Sequence, residues 1–218
     1  MKPRCPACDE NGALHEPVAP VTQYASPELI ERIVYAGHDP GDDPAWAVSG
    51  AASREEYGAW CGHACGMACL RMVLAHRYGD APPLLELLHG TRKAGGYVER
   101  PDGTVKGLIY APFVEYVRDS HRLDAHVRTD LDTEALRSEL DRGRMVIASV
   151  HKEIRRPNRA APGKGGHLVL VIGHRDGLLH FRNPSGHRPD TVTATMAETT
   201  FAAFFAGRGV VVDPTRHP

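Results

Sequence analysis

Residues 167–174, HLVLVIGH, form a nearly continuous apolar run, and no other stretch limits the fold so tightly. A run of this length and content is that of a central strand covered on both faces. Asp176-Gly177 then signals a turn, and LLHFRNP (178–184) reads as the returning strand. MVIASV (145–150) is a further strand, and the tail, TFAAFFAG followed by VVV, offers one more helix and an edge strand. Ahead of these strands the pattern is helical. Ser26-Pro27-Glu28 is a cap, a first-turn proline and an acidic residue, and starts a helix that ends near Gly37. The Gly-, Pro- and Asp-rich stretch from Gly37 to Gly58 reads mostly as loop. PPLLELLHG is a short helix ended by Gly90, TRKAGGYVERPDGTVKG a loop or small hairpin turning at Asp102-Gly103, GLIYAPFVEYVRDS a helix, and TEALRSELDRG a helix opened by Asp132 or Thr133 and closed by Gly143. Helices first and antiparallel strands second argue for an α+β domain.

Trp60 to Tyr78, WCGHACGMACLRMVLAHRY, is the stretch that carries chemistry. Met67, Leu70, Val73 and Leu74 recur at helical spacing, which predicts a helix with one buried stripe and Cys65 in its first turn. Backbone N–H groups and the macrodipole at a helix N-terminus favour thiolate, the nucleophilic form. Such a nucleophile needs a base, and the base needs an orienting group. His167 opens the long strand after Gly165-Gly166, and Asn183 closes its partner. A turn at Asp176-Gly177 places these two within about three residues of register at one end of the hairpin. The expected arrangement has the Asn183 amide accepting the imidazole Nδ1–H and Nε2 facing the sulfur. Cys61, four residues earlier, is the fallback nucleophile, and Cys69 a core residue. His63 reads as an extra donor at the site or as an ordinary solvated side chain, His174 and His180 as structural or exposed side chains, and Trp60 as a neighbour of the site entrance. Arg155, Arg156 and Arg159 form a basic loop before His167, either solvated or able to recognise an acidic or phosphate-bearing group such as a carrier-protein arm.

Cys65-Gly66-Met67-Ala68-Cys69-Leu70-Arg71-Met72-Val73-Leu74 resembles the nucleophile motif of the bacteriocin-processing (double-glycine leader) peptidases and their stand-alone relatives, among the papain-like cysteine peptidases. The register set by Met72 and Leu74 makes Cys65, not Cys61, the nucleophile. GRMVIASV, GGHLVLVIGH and LLHFRNPSG resemble the family's later strands, and the resemblance covers roughly residues 20–213. It implies a papain-like fold, with an N-terminal helical part whose nucleophile helix packs on a C-terminal antiparallel sheet. It also implies Cys65 as nucleophile, His167 as base and Asn183 as orienting residue. Two departures stand out. Met67 replaces the usual proline, and residues 55–64 lack the glutamine that supplies an oxyanion donor. Pro20-Val21-Thr22-Gln23-Tyr24 resembles the stand-alone relatives' glutamine segment, which makes Gln23 the oxyanion candidate beside the backbone N–H of Cys65.

The expected organisation is a polar N-terminal extension, 1–19, with Cys5 and Cys8 in CxxC spacing, then a papain-like domain over 20–218 with residues 24–58 as an insertion or lid. A net charge of −1 gives no reason to expect nucleic acid as a partner, and no apolar run approaches a membrane span. The polar N-terminus lacks a signal-peptide core, and five cysteines, an odd number, do not form a disulfide framework; a cytoplasmic protein with reduced thiols is expected. The function expected is a cysteine peptidase that hydrolyses a peptide or amide bond through a Cys65 acyl-thioester, with no cofactor and no catalytic metal. The alternative is an amide-forming acyltransferase drawing on a carrier-bound thioester, with a carrier protein as partner. A third reading, a non-catalytic zinc module, rests on Cys5 and Cys8, which Cys61 and His63 could complete.

Overall fold

The computed structural model describes residues 8, 9 and 12–215. Its helices are α1 (Ile30–Ala36), α2 (Arg54–Trp60), α3 (Cys65–Tyr78), α4 (Leu84–Lys93), α5 (Tyr110–His121), α6 (Thr133–Asp141), α7 (Pro189–Val192) and α8 (Glu198–Phe204). The strands are β1 (Cys8–Asp9), β2 (Gly12–Leu14), β3 (Val98–Glu99), β4 (Val105–Lys106), β5 (Asp124–Arg128), β6 (Met145–His151), β7 (Gly166–Arg175), β8 (Leu178–Arg182), β9 (Thr193–Ala197) and β10 (Phe205–Asp213). An antiparallel sheet runs β1-β2-β7-β6-β10-β5, with β8 on the other edge of β7 and β9 beyond it, while β3 and β4 form a separate hairpin. The α+β class follows, with the helical part laid on the sheet.

Strand alternation divides the core in two. Leu168, Leu170 and Ile172 of β7, with Met145 and Ile147 of β6, pack with α3, α4 and α5. Val169 and Val171, with Val146, Ala148 and Val150, join Phe181, Phe201 and Phe204 on the opposite face. β7 is buried from His167 through Gly173, as its uninterrupted apolar sequence requires. α3 is enclosed on more than one side: Met67, Ala68, Cys69, Leu70, Met72, Val73 and Leu74 are all buried. The single buried stripe expected from its spacing is therefore too narrow, because the helix lies between the sheet, α4 and the chain preceding it.

Several elements differ from the sequence reading. Gly90 does not end α4, which continues to Lys93; the Tyr116 ring packs where a Gly90 side chain would project. β10 is not an edge strand but lies between β6 and β5. The edge is β5, whose Asp-Ala-His-Val-Arg has only Ala125 fully buried and so carries little hydrophobic signal. Residues 12–14 are not a loose polar terminus: they pair with β7, and Ala13 and Leu14 are buried. The CxxC pair lies outside the described residues, apart from the Cys8 backbone in β1. Among the described residues no cluster of His, Cys, Asp or Glu could hold a metal ion, and no helix is long and apolar enough to cross a membrane.

The segment between Gln23 and α3 is tied down through one buried carboxylate. Asp43 accepts from the Ser26 backbone N–H at 2.9 Å, the Ser26 hydroxyl at 2.6 Å, the Tyr57 hydroxyl at 3.1 Å and the Ala45 N–H at 2.9 Å. Tyr57 in turn accepts from the Ala25 N–H at 2.8 Å. α2, inside the stretch expected as loop, is capped by Ser53, which accepts from Glu56 N–H, while the Glu56 carboxylate reaches back to Ala52 N–H. Burial alone would raise the Asp43 pKa, but the hydrogen bonds from Ser26, Ala45 and Tyr57 together hold it below the usual carboxylate value. Asp43→Ala leaves these donors buried and unpaired. We expect a loss of about 3 kcal/mol, lowering the Tm by about 6–12 °C. Because the folded pKa is depressed, this contribution is complete at neutral pH and fades as pH falls below about 4, so the wild-type and variant melting curves converge in acid.

Candidate active site

Cys65 is the first residue of α3, and its thiol is half-buried, whereas Cys61 and Cys69 are fully buried. A side chain at Gly66 would strike Leu108 and Leu168, so the small residue lets the helix start close to β7. The backbone N–H groups of Leu168, Gly66 and Cys65 itself point at the sulfur. The first of these belongs to the peptide joining His167 to Leu168, so the sulfur rests against the strand end that carries the histidine. Cys65 and His167 line one cleft of about 310 Å³ together with Gly62, His63, Tyr110 and Ser149.

Burial dominates the electrostatics. It pushes the Cys65 thiol up to about 11, and the three backbone N–H groups only partly offset it. It pushes the His167 imidazole down to about 4, against the raising effect of the Asn183 hydrogen bond. Both shifts favour the neutral forms, thiol and imidazole, and so run against the thiolate that the helix terminus alone would favour. Cys61 is further out of range: burial drives it up to about 12, and its sulfur faces the Gly58 carbonyl at 3.9 Å.

His167 and Asn183 do meet, but through the other ring nitrogen from the one expected. His167 Nε2 lies 2.9 Å from Asn183 Oδ1 and 3.1 Å from the Ser185 hydroxyl. Asn183 Oδ1 also accepts from the Ser185 N–H at 3.1 Å. A carbonyl oxygen needs a donor, so Nε2 carries the proton and Nδ1 keeps the lone pair. The strand register explains the meeting. Near the turn Gly173 faces His180 and His174 faces Leu179, but past Ile172 the register slips, so that Val171 faces Phe181 and Leu170 faces Arg182. Continued to Asn183, the slipped register puts it opposite Val169, which shares a face with His167; the unslipped one would put it opposite Leu170, on the other face.

Gln23 is buried beside this site. Its backbone N–H donates to Pro184 O at 2.8 Å, and its side-chain amide donates to Cys61 O at 2.8 Å and Gly62 O at 3.1 Å. Both amide protons thus brace the turn entering α3. Trp60 is buried between His63 and Tyr97, with the Arg92 guanidinium 4.2 Å from its ring centre. The basic loop is held rather than loose: Arg155 is buried, and Arg156 stacks 3.9 Å from the Tyr35 ring centre and pairs with Glu153. Ser185, Tyr110, Ser149 and Arg208 were missed by sequence reasoning. Ser185, two residues past Asn183, had a local signal; the others are brought in only by the fold.

No family model matches this chain, and no curated protein matches it. Among solved structures, the peptidase domain of ComA, a bi-functional ABC transporter of Streptococcus involved in a quorum-sensing pathway, is 18 % identical over 70 % of this chain and 93 % of its own, with a TM-score of 0.49. A structure described as a C39-like peptidase from Bacillus anthracis is 14 % identical over 72 % of this chain and 90 % of its own, with a TM-score of 0.52. Together with the antiparallel sheet and the helix that presents Cys65 against it, the latter likeness shows that the chain has the fold of the C39, papain-like cysteine peptidases.

Proposed function

We propose that this protein is a cysteine peptidase or amidase working through a Cys65 acyl-thioester. One observation carries the reading: Cys65, only partly buried, lines a cleft together with a buried imidazole whose Nε2–H is held by Asn183 and Ser185. In the first step the sulfur attacks the carbonyl carbon as Nδ1 of His167 takes the thiol proton, so charge appears only as the bond forms. The Asn183 carbonyl, already aligned with Nε2–H, steadies the imidazolium. The oxyanion meets the Cys65 backbone N–H, with Gln23 as second donor once one amide proton leaves the Gly62 carbonyl. As the C–N bond breaks, His167 returns its proton to the departing amine. Water, deprotonated by His167, then cleaves the thioester and regenerates the thiol. An amine entering in place of water would make the same thioester an acyl donor, and product mass distinguishes the two.

Cys65→Ala is expected to lower kcat/KM on a responsive amide by about 10³-fold or more. Mass spectrometry of wild type with acyl thioesters should find the acyl group on Cys65 and, with an added amine present, release of the free acid. Amide as the main product would select the transferase reading, and full activity of Cys65→Ala would refute both. The pH dependence follows from the two shifts. With His167 lowered to about 4 and Cys65 raised to about 11, iodoacetamide labelling of Cys65 should keep climbing with pH towards 11. A rate already level between pH 5 and 8 would mean a preformed thiolate–imidazolium pair.

A further inference from the structure

Among the described residues, the cleft holding Cys65 and His167 is lined by one permanent cation, Arg208, and by no acidic side chain. Arg208 reaches it through an irregularity in β10. Phe205 pairs with Val150 of β6 and Gly209 with Ala148, so β10 carries surplus residues between the two pairs. Gly207 takes up the bulge with φ of 66°, a left-handed conformation that glycine adopts without strain. A bulge re-aims the neighbouring side chain. Room is left on the facing wall: a methyl on Gly165 would lie 3.3 Å from Arg208 Nη2 and 3.3 Å from Ser149 Oγ. The guanidinium therefore comes up against the Gly165–Gly166 segment that leads into His167. The Tyr110 hydroxyl completes the group, in contact with Ser149 and Arg208, and burial raises its pKa so that it remains a donor at neutral pH.

We propose that Arg208, with Tyr110 and Ser149, is a carboxylate subsite, and that the bond attacked by Cys65 lies beside a free carboxylate, as in an N-acyl amino acid or the last residue of a peptide. This rests on the reading of Cys65 as nucleophile and names the substrate class of that site. A guanidinium presents paired N–H donors in the geometry of a carboxylate. One such cation with two hydroxyls balances a single negative charge, whereas a phosphate monoester brings about two. The volume of about 310 Å³ is at the small end for ligand sites and suits a residue or two better than a long peptide.

Iodoacetate and iodoacetamide test this, since both react by displacement of iodide by sulfur and differ in the carboxylate. Labelling at Cys65 is followed by peptide mass mapping. In wild type the ratio of iodoacetate to iodoacetamide rates should exceed that of a free cysteine, and Arg208→Gln should lower it about tenfold, the effect of losing one charge-assisted hydrogen bond. Should that variant fail to fold, Arg208→Lys serves, with a smaller fall expected. N-acetylglycine should protect Cys65 from iodoacetamide in wild type better than in the variant. A ratio indifferent to Arg208, or protection by inorganic phosphate without protection by N-acetylglycine, overturns the carboxylate subsite while leaving the nucleophile reading intact. Failure of both reagents to label Cys65 overturns the nucleophile reading and this one with it.

Discussion

Burial of β7 on both faces is the constraint on which the rest of the molecule depends. Leu168, Leu170 and Ile172 hold the helical half, and Val169 and Val171 hold the phenylalanine-rich half. A one-residue slip would exchange the two sets and undo both cores at once, so the strand has one register. Its first residues inherit that rigidity. His167 is held at the strand end, and the Leu168 N–H beside it meets the sulfur that α3 presents. A rigid strand and a buried helix thus set His167 and Cys65 in one cleft without help from a mobile loop.

The same burial sets the charge state. A helix N-terminus gives each charge of its partner roughly 0.3–1 kcal/mol, while enclosing a thiolate among apolar side chains costs more. Burial therefore favours the protonated Cys65 thiol and the neutral His167 imidazole. In the proposed reaction this state calls for proton transfer to accompany attack, with Asn183 and Ser185 placed to stabilise the imidazolium as it forms.

Much of this was legible in the chain. The apolar run of β7, the Asp176-Gly177 turn, the Gly37 stop of α1 and the Asp132 cap of α6 are local signals that the structure reproduces, whereas the Ser26 hydroxyl expected to cap the first helix donates to Asp43 instead. The pairing of His167 with Asn183 was also readable, because a hairpin turn carries its register outward. Its atomic detail was not: the slip at Ile172 and the ring nitrogen used depend on packing between the two cores. β5 was missed because only Ala125 of it is buried, β9 because its alternation is carried by the small and polar residues Thr-Ala-Thr-Met-Ala, and α2 because its Ser53–Glu56 cap lies in a Gly- and Asp-rich context. Arg208 had no motif at all; a bulge two strands away from His167 puts it in the cleft.

In the proposed reaction a neutral imidazole, protonated on Nε2 by its tie to Asn183, offers Nδ1 to the Cys65 proton. ¹⁵N NMR of the His167 ring at neutral pH tests it directly. Nε2 should be protonated and Nδ1 bare and pyridine-like, with the Nε2–H signal lost or moved in Asn183→Ala. The opposite tautomer, or a ring protonated on both nitrogens at that pH, would contradict it.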